Sequence, residues 1–257
     1  MKKLYFILFI GILTSSCLDE NNISNIGERL LAVYFEDTKL YEYEYNSDGF
    51  LVADKAKFHY YRYSYDKNPG EILKEIYFDS RTFSSNSTIV QEAYSRTDWV
   101  NPQNTPLTGT LVFEFNSNHR LVKSSEINGH SEYEYDNNGR ISARKIFNNG
   151  NLSGIREYEY DMNGNVSKET QFSVLQSGSK VLSTTTEYEY DSKKNPYQYL
   201  RPDRIPGENT NPNNVTRKKY TVVNTPGADT DLEYTYIYND LGYPVERKDG
   251  QRYKYSD

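Results

Sequence analysis

A single cysteine, Cys17, excludes any disulfide framework within the 257-residue chain and any cysteine-built zinc site. Three histidines, His59, His119 and His130, leave little material for imidazole chemistry. A Gly-X-Ser-X-Gly elbow and a phosphate-cradling glycine loop are both missing, so no nucleophile and no nucleotide cofactor is marked. Basic residues are outnumbered, 30 Lys and Arg against 36 Asp and Glu, and the formal charge of −6 argues against a nucleic-acid partner. Aliphatic material is short too. Leu, Ile, Val and Phe number 56, and mean hydropathy is −0.86, near the range of chains that stay disordered. Beyond one stretch near the N-terminus there is no long apolar run, which excludes a helical multispan membrane protein. What the chain has instead is tyrosine, 26 residues of it. Each phenol can bury a large ring while its hydroxyl stays wet or hydrogen-bonded.

The N-terminus reads as an address. Met1-Lys2-Lys3 is basic, Leu4–Leu13 is a ten-residue apolar run, and Thr14-Ser15-Ser16 are small residues before Cys17. Ten residues make a helix of only about 15 Å, half a bilayer core, so the run is a signal peptide over 1–16 rather than a span. Leu13-Thr14-Ser15-Ser16-Cys17 resembles the cleavage site of bacterial lipoproteins, with Thr14 standing where that pattern usually has leucine. The resemblance implies lipidation of Cys17, a membrane anchor of acyl chains, and a tether over 17–30. Leu18-Asp19-Glu20 resembles the export signal of surface-displayed Bacteroidota-type lipoproteins. The expected location is the outer membrane, on the cell surface, with a periplasm-facing protein as the alternative.

The rest of the chain repeats one phrase. Tyr43-Glu44-Tyr45-Asn46-Ser47-Asp48-Gly49 recurs as Phe113-Glu114-Phe115-Asn116-Ser117-Asn118-His119 and as Tyr133-Glu134-Tyr135-Asp136-Asn137-Asn138-Gly139. It recurs again at Tyr158–Gly164 and Tyr236–Gly242, and it opens at Tyr63-Ser64-Tyr65-Asp66 and Tyr188-Glu189-Tyr190-Asp191 before diverging. Tyr253-Lys254-Tyr255 is a half copy. Alternation puts both rings on one face of a strand and the polar residue on the other. The Asp or Asn that follows opens a turn, and glycine three residues on supplies the positive φ that closes it. His119 at the glycine place predicts either strain or another turn type. Asn128-Gly129 and Asp249-Gly250 read as two-residue hairpins, and Asn148-Asn149-Gly150 as a less clean one. No stretch keeps a helical period over ten residues. The segment 81–106 is rich in Ser, Thr and Asn, with a strand expected at 87–94. The segment 195–214 holds four prolines and five asparagines and reads as an exposed loop.

Tyr133–Ile141 resembles the YD repeat of RHS-type proteins, which wind such arrays into β-shells. Tyr190-Asp191, Asn195-Pro196-Tyr197, Asn213-Asn214-Val215 and Gly242-Tyr243-Pro244-Val245 are similar to uncharacterised surface lipoproteins of Bacteroidota-type bacteria. The resemblance implies an all-β fold over 31–257, one domain, an antiparallel meander of Tyr-rich hairpins curled into a shell or open barrel. It implies no activity.

Function is read by elimination. Asp161-Met162-Asn163-Gly164 lacks the further oxygen ligands of a calcium loop, so no metal is expected. Glutamates recur in every copy, which points to a solvated strand face rather than one tuned acid–base pair. An outer-membrane barrel needs a lipid-facing apolar band, and the strand faces here carry tyrosine or charge. The expectation is a non-catalytic binding or accessory module for a glycan or a surface protein. The alternatives are a glycan hydrolase using paired sheet carboxylates and a purely structural surface protein. Trp99, Tyr197 and Tyr199, in the two long loops, are the candidate ligand-binding residues.

Overall fold

The protein is described by a computed structural model over residues 28–79, 98–225 and 227–256. Cys17, the signal peptide expected over 1–16 and the strand expected at 87–94 lie outside the described residues. Among the described residues the elements are β-strands joined by turns, with one 3₁₀ turn at Glu208–Thr210. In chain order the strands are β1 (Leu30–Phe35), β2 (Thr38–Tyr45), β3 (Leu51–Ala56), β4 (His59–Ser64), β5 (Glu71–Phe78) and β6 (Leu107–Phe115). They continue as β7 (Leu121–Glu126), β8 (Gly129–Tyr135), β9 (Ile141–Asn148), β10 (Asn151–Tyr160), β11 (Val166–Val174) and β12 (Lys180–Lys194). The last five are β13 (Asn213–Val222), β14 (Thr230–Glu233), β15 (Tyr236–Tyr238), β16 (Pro244–Arg247) and β17 (Gln251–Tyr255).

All seventeen form one antiparallel meander. β1 pairs with both β2 and β17, so the first and last strands lie side by side within the ladder. The ends of the ladder are β14, paired with β13, and β15, paired with β16. These two are successive segments of chain, but no ladder joins them, and the sheet is not closed into a barrel. A single core gathers Leu30, Tyr43, Tyr63, Phe113, Tyr133, Tyr158 and Tyr253 from strands across the sheet, so one face curls inward on itself.

The repeat explains this face. In each copy the turn is the same: Asn46, Asn116, Asp136, Asp161 and Asn239 accept, through Oδ1, the backbone N–H groups two and four residues ahead. Gly49, Gly139, Gly164 and Gly242 hold φ between 78° and 88° there. His119 takes the same turn at φ 56°, which settles its copy as strained rather than different. The pairing slips by one residue just before the second ring, at Glu44/Tyr45, Glu114/Phe115, Glu134/Tyr135 and Glu159/Tyr160. The extra residue lies on the following strand, at Val52, Val122, Ser142 and Ser167, so the two rings of a copy keep one face by alternation.

Three expectations are corrected. Leu30, expected as the last residue of a tether, instead opens β1 in the core, and its carbonyl accepts the Tyr45 hydroxyl. Asn149-Gly150 is a clean two-residue hairpin, both residues at positive φ between paired Asn148 and Asn151. Between β7 and β8 the two-residue turn is Ile127-Asn128, one residue earlier than expected; Gly129 opens β8 opposite Glu126, and a Cβ there would meet the Phe147 carbonyl at 2.5 Å, so close approach is what requires glycine. Finally, 195–214 is no exposed loop: Asn195, Leu200, Asp203, Asn211 and Asn214 are buried. Asparagine makes that affordable by supplying donors and acceptors to backbone. Asn195 Nδ2 donates to the Asn211 carbonyl at 2.9 Å, Asn211 Oδ1 accepts the Val166 N–H at 2.7 Å, and Asn211 Nδ2 donates to the Gly207 carbonyl at 2.7 Å.

Candidate functional site: the inner face and the loop that folds onto it

The second ring of nearly every copy makes one recurring bond. Tyr45, Tyr65, Tyr135, Tyr160, Tyr190 and Tyr255 donate their hydroxyls to the carbonyls of Leu30, Leu51, Leu121, Ile141, Val166 and Pro244. Each acceptor is the first residue of the preceding strand. The bonds are 2.6–2.7 Å long. The residue after the turn glycine then lies against the same ring of the next hairpin. Phe50 packs on Tyr65 with ring centres 5.0 Å apart, and the Arg120 and Arg140 guanidiniums stand 5.2 and 4.4 Å from the centres of Tyr135 and Tyr160.

The outer face is ionic. Glu44 pairs with Lys55, Glu134 with Lys145, Glu114 with Lys123, and Glu189 with Arg217. These are the residues between the two rings of a copy, each matched to a base on a neighbouring strand. Pairs this exposed contribute little stability, about 0–1 kcal/mol each, and their main effect is solubility.

Inside, one cluster stands apart. Asp54 and His59 are buried, with Nε2 of His59 3.1 Å from Oδ1 of Asp54. The imidazole stacks on Tyr61 at 4.0 Å and 10°. The ammonium of Lys74 lies 3.6 Å from the centre of the Tyr61 ring and 5.7 Å from that of Tyr63. Burial, aided by the Arg201 charge, pulls Lys74 down to about 8. Desolvation raises the phenols: Tyr41 to about 12, Tyr43 and Tyr63 well above their ordinary value. Tyr63 is 3 % exposed, yet its hydroxyl has no hydrogen-bond partner among the described residues. A second polar group lies further round the sheet. Arg156 contacts Glu169 at 2.9 Å, while burial pushes the Glu169 carboxyl upward against that pull. Two of its polar atoms, the Tyr158 hydroxyl and Arg156 Nε, are also buried without a partner.

Of the sequence candidates, Tyr197 turns inward. Its ring meets Tyr253 edge-on at 6.1 Å, and its hydroxyl accepts from Gln251 Nε2 at 3.2 Å. Tyr199 is 48 % exposed, under the Arg204 guanidinium at 5.3 Å. Trp99 is half-buried near Lys39, whose ammonium is 5.9 Å from its ring, beside buried Val100. No ring contact or hydrogen bond among the described residues joins Trp99 to Tyr197 or Tyr199. The Asp54–His59–Lys74 cluster was missed by sequence reading, although a signal existed: Lys74 sits two residues from both Ile72 and Ile76, so it shares their inward face. Among the described residues no three His, Cys, Asp or Glu side chains gather as metal ligands, and no helix is long and apolar enough to cross a membrane.

No family model matches the sequence, and no curated protein does. Solved structures do resemble it. A DUF3836 family protein from Parabacteroides distasonis is 20% identical, over 40% of this chain and 88% of that one, with a TM-score of 0.26. A porin-like protein from Bacteroides vulgatus is 11% identical over 90% of this chain and 99% of that one, at 0.45. The TcdB2-TccC3 complex is 10% identical over 80% of this chain and 14% of that one, at 0.23. The neighbours of this all-β meander thus include proteins of Bacteroides and its relatives and a toxin complex, and these weak matches carry nothing about activity.

Proposed function

We propose that the protein is a lipoprotein anchored to the outer membrane through Cys17 and displayed on the cell surface, where its curled, tyrosine-lined sheet acts as a non-catalytic binding or accessory module. The anchoring rests on Leu4–Cys17 and the acidic residues behind it. One observation carries the non-catalytic reading: the chemistry-bearing groups of the repeat are consumed by the fold. Six second-ring tyrosine hydroxyls are spent on backbone carbonyls, the outward Glu44, Glu114, Glu134 and Glu189 on lysines and an arginine, and the turn carboxylates Asp136 and Asp161 on backbone N–H groups. The inward carboxylates Asp54 and Glu169 are each held by a base, which disfavours a free acid–base pair for glycan hydrolysis.

The test has two arms. Lipid labelling of cells making the wild-type chain or Cys17→Ala is expected to mark only the former, and protease added to intact cells is expected to clip the protein. Unlabelled wild type would overturn the anchor, and protection from protease would place the protein facing the periplasm. Retention of the full chain on one class of glycan or surface protein would support the binding module; turnover of a glycan would overturn the non-catalytic reading.

A further inference from the structure

We propose that the inner face beneath the Leu200–Asp203 segment binds a small oxyanion, held by the Lys74 ammonium, the Arg201 guanidinium and the Tyr63 hydroxyl. Two donors meet there, the Lys74 ammonium and the Tyr63 hydroxyl, neither with a hydrogen-bond partner among the described residues, and the Arg201 charge reaches both. Tyr63 and Lys74 are directly paired across β4 and β5, and Lys74 lies between the rings of Tyr61 and Tyr63. Neither Lys74 nor Arg201 makes an ion pair or a hydrogen bond with the described residues. The Tyr63 hydroxyl is buried and unpartnered, a state that costs free energy unless something else accepts its proton.

The nearby carboxylates each hold a partner of their own, and their charges reach Lys74 and Arg201 without a hydrogen bond to either. Asp54 holds His59 at 3.1 Å, and Asp203 accepts the Ile205 N–H at 3.1 Å. Arg201 is close enough for its charge to act on Tyr43, Tyr63 and Lys74, yet its own side chain is exposed to solvent. The faces of Tyr61 are already covered by His59 and Lys74, which argues against a stacked sugar ring and for a compact ligand. A carboxylate, phosphate or sulfate group offers the several acceptor lone pairs this set lacks.

Protonation adds a signature. Lys74 faces Tyr61 and Tyr63 from β4, Asp54 from β3, Leu111 from β6, and Arg201 and Asp203 from the loop. With its ammonium weakened to about 8, it is only partly charged near that pH. A bound anion favours the charged form, so binding takes up protons there. This inference does not depend on lipidation or surface display.

The experiment is calorimetric titration of the full chain, in mild detergent and low salt at about pH 8, with inorganic phosphate in one arm and acetate in the other. Each arm is run in two buffers of different ionisation enthalpy. Saturable binding of either anion is expected, with heats that differ between buffers because protons are absorbed. Phosphate alone would indicate a tetrahedral group, acetate alone a carboxylate-bearing ligand. Lys74→Met and Arg201→Gln are each expected to weaken binding about tenfold or more, while Lys74→Arg keeps binding without proton uptake. Circular dichroism verifies that each variant is folded. No saturable binding of either anion, or undiminished binding by folded Lys74→Met and Arg201→Gln, would overturn the proposal.

Discussion

Above about pH 10 this protein is expected to unfold as one body instead of ionising tyrosine by tyrosine. Burial raises its phenols because a phenolate on the inner face would lose its hydration: Tyr41 stands at about 12, Tyr158 and Tyr253 are raised further, and Tyr43 and Tyr63 are raised well above their ordinary value. A group raised in the native state is neutral in both states at low pH. Its stabilising contribution is complete below the unfolded value of 10.0 and is lost as pH climbs toward the native value. At about pH 11 each of Tyr41, Tyr158 and Tyr253 costs about 1.4 kcal/mol, together about 4 kcal/mol, close to the lower end of an ordinary domain's whole stability, and Tyr43 and Tyr63 add in the same direction. Lys74 acts in the opposite sense. Its native value of about 8 lies below 10.5, so losing its proton relieves burial between those limits by up to about 3 kcal/mol. The loss of stability therefore begins beyond pH 10 and then falls steeply. Tyrosinate absorbance and far-ultraviolet circular dichroism, followed on the same alkaline titration, are expected to change in one shared transition. Absorbance that rises gradually while the β-sheet signal persists would mean that the rings ionise in place against solvent, and the inward-facing account of the core would fail.

Three further perturbations separate the contributions. Tyr135→Phe removes the bond to the Leu121 carbonyl and is expected to cost about 1 kcal/mol in urea unfolding, whereas Tyr158→Phe removes an unpartnered hydroxyl and is expected to be neutral or stabilising; equal losses would refute the role given to the carbonyl bond. His119→Gly relieves a left-handed backbone at φ 56° and should stabilise by about 0.5–1 kcal/mol after the extra chain entropy of glycine, measured as a raised urea midpoint; a lowered midpoint would show that the His119 side chain matters more than its backbone. Asp54→Ala leaves the buried imidazole of His59 without its partner and is expected to cost about 3 kcal/mol, largely recovered when His59→Phe is added; no recovery would show that the pair is not the source of the loss.

Local rules carried most of the fold into the sequence, because the repeat specifies everything within its own nine residues. The rings of Tyr133 and Tyr135, the turn at Asp136 and the return from Ile141 all follow from alternation and from the φ that Gly139 allows. What the sequence hid were contacts between residues far apart in the chain. Asn128-Gly129 carries a hairpin signature, yet Gly129 is needed for the Phe147 carbonyl from a different strand. The segment 195–214 has loop composition, and composition does not say whether a loop's polar groups meet water or backbone. Here Asn211 meets the Val166 N–H, 45 positions away, and the loop goes inside. Lys74 was concealed in the same way: its alternation with Ile72 and Ile76 shows the face it occupies, but only the curl of the sheet brings Arg201 near it.

The same contrast accounts for tyrosine being the repeated residue when phenylalanine would bury as much ring. Each copy carries a bulge before its second ring, against the first residues of the following strand, and the first carbonyl of that strand (Leu51, Ile141 or Val166) is the one the next copy's phenol reaches. A hydroxyl at that height accepts the task of pairing the carbonyl, and six copies place one there within 2.7 Å. Phe115 is the copy without a hydroxyl, and a backbone bond borders it instead: its own N–H donates to the Gly70 carbonyl at 2.8 Å. Gly70 holds φ 77°, and a Cβ there would come within 3.2 Å of the Phe115 carbonyl. A close approach of two backbones, available only to glycine, thus fastens at this copy what a phenol fastens at the others.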